Sequence, residues 1–245
     1  MLRVFRIIRK SLIESSKTRK YLLYAIGEIL LVMIGILLAL QVNNWNEEVQ
    51  ARKQEFVILE AIKKDLLANI IEIDSIILEK QRRVKGLVAI IDAIEQDLPF
   101  HDSLTTHFGW AMIYSRISLQ RSAYQSYIAS GSQVVADESL RFEISHFFDH
   151  KLVKLENYII ETRDDFYSYM LGYLRELFEN FVAVDQIGIP RDFEAMKDNK
   201  DFEVSLKIFL DVTSDAWRGL KKSKNDSEEF LKKLEDRISI LTDYQ

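Results

Sequence analysis

One carboxylate stands where a carboxylate is costly. Glu28 is the only charged residue in the run Tyr21–Val42, YLLYAIGEILLVMIGILLALQV. At membrane depth an acid is protonated, paired or turned toward protein, so Glu28 is a candidate for a helix–helix contact or a proton relay. Tyr24, one turn earlier, is placed to donate to it. Gly35 and Ala39 form a small-xxx-small pair, with Gly27 two turns before Gly35, and that side of the helix suits close approach of a second helix. A second constellation is His146 and His150, at i and i+4 in HFFDH. Both imidazoles can reach one metal from one helix face, yet zinc needs further ligands, and only His101 and His107 remain among the histidines. The expectation is therefore no metal site, with His146 and His150 the weak candidates. Tyr158, Phe166, Tyr169, Tyr173, Phe178 and Phe181 recur at helical spacing, which suits core packing better than a ligand pocket. Walker loop, G-x-S-x-G and H-E-x-x-H are absent, and with no Cys there is no thiol nucleophile. The expectation is no enzyme, no catalytic residue and no cofactor.

The elements that carry these residues begin with the run itself. Twenty-two residues at about 1.5 Å each reach roughly 33 Å, enough for the hydrocarbon core of a bilayer. Residues 1–20 hold seven Lys or Arg against Glu14 alone, a net +6, while Glu47 and Glu48 follow on the far side. The positive-inside rule then puts the N-terminus in the cytoplasm, with Arg19, Lys20 and Tyr21 anchoring one interface and Trp45 the other. The run is too long for the apolar core of a signal peptide and no A-x-A-like site closes it, so it reads as an anchor. Residues 1–18 form a basic amphipathic segment suited to anionic headgroups, with Val4, Phe5, Ile8 and Leu12 opposite Arg3, Arg6 and Lys10.

Residues 45–245 read as helical. A total charge of −5 leaves −11 for residues 21–245, which disfavours a nucleic-acid partner. Eight Gly and two Pro in 245 residues is sparse punctuation, and it fits long helices. From Val49 a heptad runs with a positions Phe56, Lys63, Ile70, Ile77, Val84 and Ile91 and d positions Leu59, Leu66, Ile73, Lys80, Leu87 and Ile94. Apolar flanking positions (Ile62, Leu67, Ile76, Val88, Ile90) widen the stripe toward a bundle helix. Gly86 alone interrupts it, and Asn43–Asn44 is a candidate bend. Further helices are expected over Ser103–Ile117, from Ser118 to Gly131, from Glu138 to about Val182 with Asp137 as cap, and from about Asp201 to Leu241. A loop is expected at VDQIGIPRD and a fraying point near Lys221–Asp226. The fold class is all-α: a single transmembrane helix, residues 19–44, continuing into an antiparallel periplasmic bundle.

The stretch KYLLYAIGEILLVMIGILLALQVNNWNEE, residues 20–48, resembles a family of Gram-negative bacterial membrane proteins of unknown function. The family is marked by YAIGE, an IGI-L-AL-Q pattern and NNWNE, and AYQSYIASG at 123–131 is similar to another of its segments. The resemblance implies a single-pass inner-membrane protein with a periplasmic helical domain, and it supplies no activity or substrate. Three functions fit. One is a scaffold whose partners are the lipid bilayer, copies of itself, or other membrane or periplasmic proteins. Another is a subunit of an ion-coupled or transport complex using Glu28. The third is a ligand-sensing accessory, which would need a partner to carry its signal.

Overall fold

The computed structural model describes residues 18–243, with side chains from Leu22 onward. The basic segment at residues 1–17 therefore lies outside the described residues, as do the side chains of Arg19, Lys20 and Tyr21. The chain is all-α with one small hairpin, and it divides into two units, Met1–Gln54 and Glu55–Gln245.

Helix α1 spans Thr18–Glu95 without a break. The Asn43–Asn44 pair does not interrupt it, and the Asn43 amide donates to Glu47 at 2.7 Å. Within the first unit, every large apolar residue from Leu22 to Val42 is half or more exposed or nearly so, Leu31 at 70% and Leu30 at 45% marking the range. The helix is long and apolar enough to cross a membrane.

The second unit is a bundle of four passes. The first is α1 from Glu55. The second descends through α2 (Ser103–Ala111), an irregular strap at residues 113–121, and α3 (Ser122–Ser130). The third rises through α4 (Glu138–His146), a π turn Phe147–Lys151, α5 (Leu152–Asp165), a π turn Phe166–Met170 and α6 (Leu171–Leu177). A hairpin, β1 (Phe178–Val182) and β2 (Ile187–Pro190), and the short α7 (Phe193–Asp198) lead into α8 (Lys200–Thr242), which descends. Three apolar clusters stack along this bundle. Leu59–Leu66 of α1 meet Phe230–Leu241 of α8 at one end, Ile73 and Ile76 meet Leu220, and Leu87–Ile94 meet Phe202–Phe209 at the other. That order makes α1 and α8 antiparallel.

Several caps follow from the sequence. Asp137 accepts from the Leu140 amide at 3.1 Å, Asp192 from Ala195 at 3.0 Å and Asn199 from Phe202 at 3.0 Å, each satisfying a helix-start donor. Gly131 ends α3 at φ 85°, a backbone state that glycine adopts without strain.

Four sequence expectations need correction. First, the buried seam of α1 runs through Glu55, Leu59, Ile62, Leu66, Asn69, Ile73, Ile76, Lys80, Arg83, Leu87, Ile90 and Ile94, alternating steps of four and three. These are the d and g positions, while Phe56, Lys63, Ile70, Ile77 and Val84 at a are only half-buried. Second, the helix from Ser103 stops at Ala111, and the next begins at Ser122, not Ser118, because tertiary hydrogen bonds hold the intervening strap extended. Third, the long third-pass helix ends at Leu177. Phe178–Val182 pairs antiparallel with Ile187–Pro190, turning through Gln186 at φ 51°. Fourth, α8 is continuous through Lys221–Asp226, where Lys224 bridges to Asp74 at 2.7 Å and Ser227 is buried.

Gly86 is explained by packing. A Cβ there would lie 2.7 Å from the His107 carbonyl oxygen, so the missing side chain lets α1 and α2 approach closely.

Candidate functional site

In the first unit, Tyr24 and Glu28 share one side of α1. With Ala25, Ile29, Val32, Met33, Ile36 and Leu37 they line a shallow groove of about 490 Å³. Gly27 and Gly35 face open space: a Cβ at either meets nothing within 4 Å. Ala39 and Trp45 are exposed, Trp45 at 67%. Glu28 is exposed along with the apolar residues around it.

In the second unit, His146 and His150 do come together, with ring centroids 5.2 Å apart, and Phe142 stacks on His146. Asp149 is engaged elsewhere, accepting from the Tyr124 hydroxyl at 2.6 Å. Burial first, and that bond second, push the Tyr124 phenol up to about 12. Among the described residues no set of three or more His, Cys, Asp or Glu gathers as a metal ion would require. Phe166 and Phe178 of the aromatic stripe are core residues, at 3% and 4% exposure.

A polar cavity in this unit was not visible in the sequence. It lies between the strap and the third pass, encloses about 690 Å³, and is lined by Tyr114–Ile117, Glu156, Ile159, Ile160, Arg163, Asp164 and Tyr167. Side chains from α1 pin the strap in place. Asn69, almost fully buried, donates to the Gln120 carbonyl at 2.9 Å and accepts from the Gln120 amide at 2.6 Å, behaving as a strand partner would. Ser115 donates to Glu79 at 2.9 Å, and Arg83 donates to the same carboxylate oxygen at 2.6 Å. At the far end Arg121 bridges to Glu156 at 2.7 Å.

Two phenols and two guanidiniums meet at the mouth of this cavity. The Tyr167 hydroxyl, carried by the second π turn, donates to the Tyr114 oxygen at 2.9 Å, and Arg116 donates to the same oxygen at 3.1 Å. The Arg116 bond first, and the Tyr167 bond second, lower the Tyr114 phenol; the same Tyr114 contact raises Tyr167. Arg163 is occupied by Asp164 through two bonds of 2.9 and 3.0 Å. Short π segments of this kind concentrate at functional sites.

Behind the strap lies a polar layer. Along α1, Lys80 and Arg83 fall between the middle and upper apolar clusters, as Thr162 does on α5, Thr213 on α8 and Ser115 on the strap. All five are at most 3% exposed. The Lys80 ammonium nitrogen, Arg83 Nε and Nη1, and Thr213 Oγ1 have no hydrogen-bond partner among the described residues. Burial, then the neighbouring Arg83, hold Lys80 well below the usual lysine range, and burial brings Arg83 down to about 10.

Residues 28–164, more than half of the chain, match a family described as one of unknown function, DUF6090. The chain belongs to DUF6090. No curated protein and no solved structure matches it. The DUF6090 match begins at Glu28 and takes in the strap and most of the cavity wall, through Asp164; Tyr167 and α8 lie beyond it.

Proposed function

We propose that this DUF6090 chain is a membrane-anchored helical-bundle protein that works by interaction, without catalysis. In this reading the apolar run crosses the bacterial inner membrane with its basic end in the cytoplasm. Residues 45–245 then form a periplasmic scaffold for copies of itself or other membrane or periplasmic proteins. One observation carries it: in the most apolar 18-residue window of α1, none of the residues is buried. Fourteen large apolar residues from Leu22 to Val42 stay exposed. Covering their exposed half would release roughly 1 kcal/mol each by the usual area coefficient. The sum, on the order of 14 kcal/mol, rivals the whole stability of a folded domain. Water is thus a poor surrounding for this helix, and lipid or partner helices are good ones.

A periplasm-active reporter fused after Gln245 tests the sidedness. An active fusion supports the reading, and a fusion active only with a cytoplasmic reporter reverses it. Affinity purification in mild detergent with mass spectrometry tests the scaffold role, which predicts recovery of self-associated chain or defined membrane partners.

A second reading, an ion- or proton-coupled subunit, draws on Glu28 and Tyr24 lining one groove on the apolar helix. Glu28→Gln separates the two. Coupling predicts that assembly persists while the cellular phenotype is lost. A scaffold predicts that both persist.

A further inference from the structure

We infer that the cavity between the strap and the third pass binds a small organic carboxylate with an apolar body. The inference is independent of the membrane reading. Charge comes first. Of the four ionised groups lining the cavity, Glu156 is neutralised by Arg121 at 2.7 Å and Asp164 by Arg163 at 2.9 Å. Arg116 has no carboxylate within ion-pair distance among the described residues; its contacts are the Tyr114 hydroxyl and ring. An exposed guanidinium held by an aromatic keeps most of its donors for a ligand, and its planar fork matches a carboxylate. Tyr114 already accepts from both Arg116 and Tyr167, which leaves its own O–H to donate to the same anion.

The walls supply the apolar half. Ile117, Ile159, Ile160 and the tilted Tyr114–Tyr167 ring pair, 5.2 Å between centroids, form a surface for hydrocarbon or an aromatic ring. A volume near 690 Å³ is in the ordinary range for small-molecule sites, which pair apolar walls with a few convergent polar groups. The cavity is also rigidly backed. Ser115, 3% exposed, lines it and is tied through Glu79 to the buried Arg83. A strap fixed by hydrogen bonds at Ser115, Gln120 and Arg121 presents Tyr114 and Arg116 in a set geometry, the support a recognition site needs.

The test is calorimetric titration of the full-length chain in nonionic detergent with 3-phenylpropionate, using 3-phenylpropionamide as the uncharged control. The site predicts saturable binding of the acid and at least tenfold weaker binding of the amide. Arg116→Gln is expected to weaken acid binding tenfold or more and to leave amide binding unchanged. Tyr114→Phe keeps the ring and is expected to weaken the acid several-fold. Arg218→Gln, whose partner is Asp215 on α8, should change nothing. Arg116 is exposed, and an unchanged melting curve confirms that its variant folds. Equal affinity for acid and amide, no effect of Arg116→Gln, or no saturable acid binding would each overturn the assignment.

Discussion

Replacing Lys80 with Met should make this protein more stable, although it removes a charged residue from a helix that looks like a coiled coil. Lys80 is fully buried, its nitrogen has no hydrogen-bond partner among the described residues, and Arg83 sits one turn away with the same charge. Glu79 offsets this only in part. An uncompensated buried ion costs several kcal/mol, and well-packed apolar replacements of such groups gain about 1–4 kcal/mol. A cooperative unit of this size shifts by roughly 2–4 °C per kcal/mol, so the melting temperature should rise by about 2 to about 16 °C. The pH dependence gives a sharper signature. Folded Lys80 loses its proton at lower pH than unfolded Lys80, whose ordinary value is 10.5. Between those two values the unfolded chain binds the extra proton, so wild-type stability climbs as pH rises. Tyr124 acts the other way, but only above its ordinary 10.0, and Arg83 contributes only from about 10 upward. From about pH 7 to about pH 9.5 the lowered Tyr114 phenol acts in the same direction as Lys80, so the difference between the wild-type and Lys80→Met melting curves by circular dichroism isolates the amine. Wild type should gain stability across that range and Lys80→Met should gain much less. A variant that melts below wild type, or keeps the same alkaline slope, would refute the buried-amine account.

The Glu55–Arg237 pair, bidentate at 2.8 Å with side chains 2% and 23% exposed, should respond asymmetrically. Arg237→Ala strands a buried carboxylate and is expected to cost about 3–5 kcal/mol, whereas Glu55→Ala leaves a half-hydrated guanidinium and should cost about 1–2 kcal/mol; urea unfolding of both variants checks the order. Gly86→Ala places a methyl against the His107 carbonyl and should destabilise by about 1–3 kcal/mol despite alanine's better helix propensity, read as a lowered denaturation midpoint. Asn69→Ala removes both bonds to Gln120 and should raise hydrogen exchange along the strap selectively, leaving α8 protected.

The all-α class, the Asp137 cap and the Gly131 stop were legible from pattern, because capping and period are local properties; helix number was not, since five helices were expected and eight are described. The phase of the α1 seam was not. Apolar residues occupy a, d and g alike, and the polar residues that mark the true seam, Glu55, Asn69, Lys80 and Arg83, looked like interruptions. Asn69 and Glu55 find their partners 51 and 182 residues away, at Gln120 and Arg237, and Arg83 reaches Ser115 only through Glu79, all beyond the reach of a heptad reading. The strap was misread for the same reason. Ile113–Leu119 has helical spacing, and anchors on α1 and the third pass hold it extended. The hairpin was missed because FENFV is five residues long and continues an apolar period. Gly109 and Gly188, where α2 meets β2, were the available hint: a Cβ at Gly188 would lie 2.8 Å from Phe108. The candidate cavity inherits these misses, since Tyr114 and Arg116 come from the strap and Tyr167 from a π turn.

The central claim is that the helix near the start of the chain is solvated by lipid. Cell lysis without detergent, an alkaline carbonate wash and ultracentrifugation of the full-length chain address it directly. The account predicts that the intact chain sediments with the membranes and leaves them only when detergent is added. Recovery of the intact chain in the wash supernatant would contradict it.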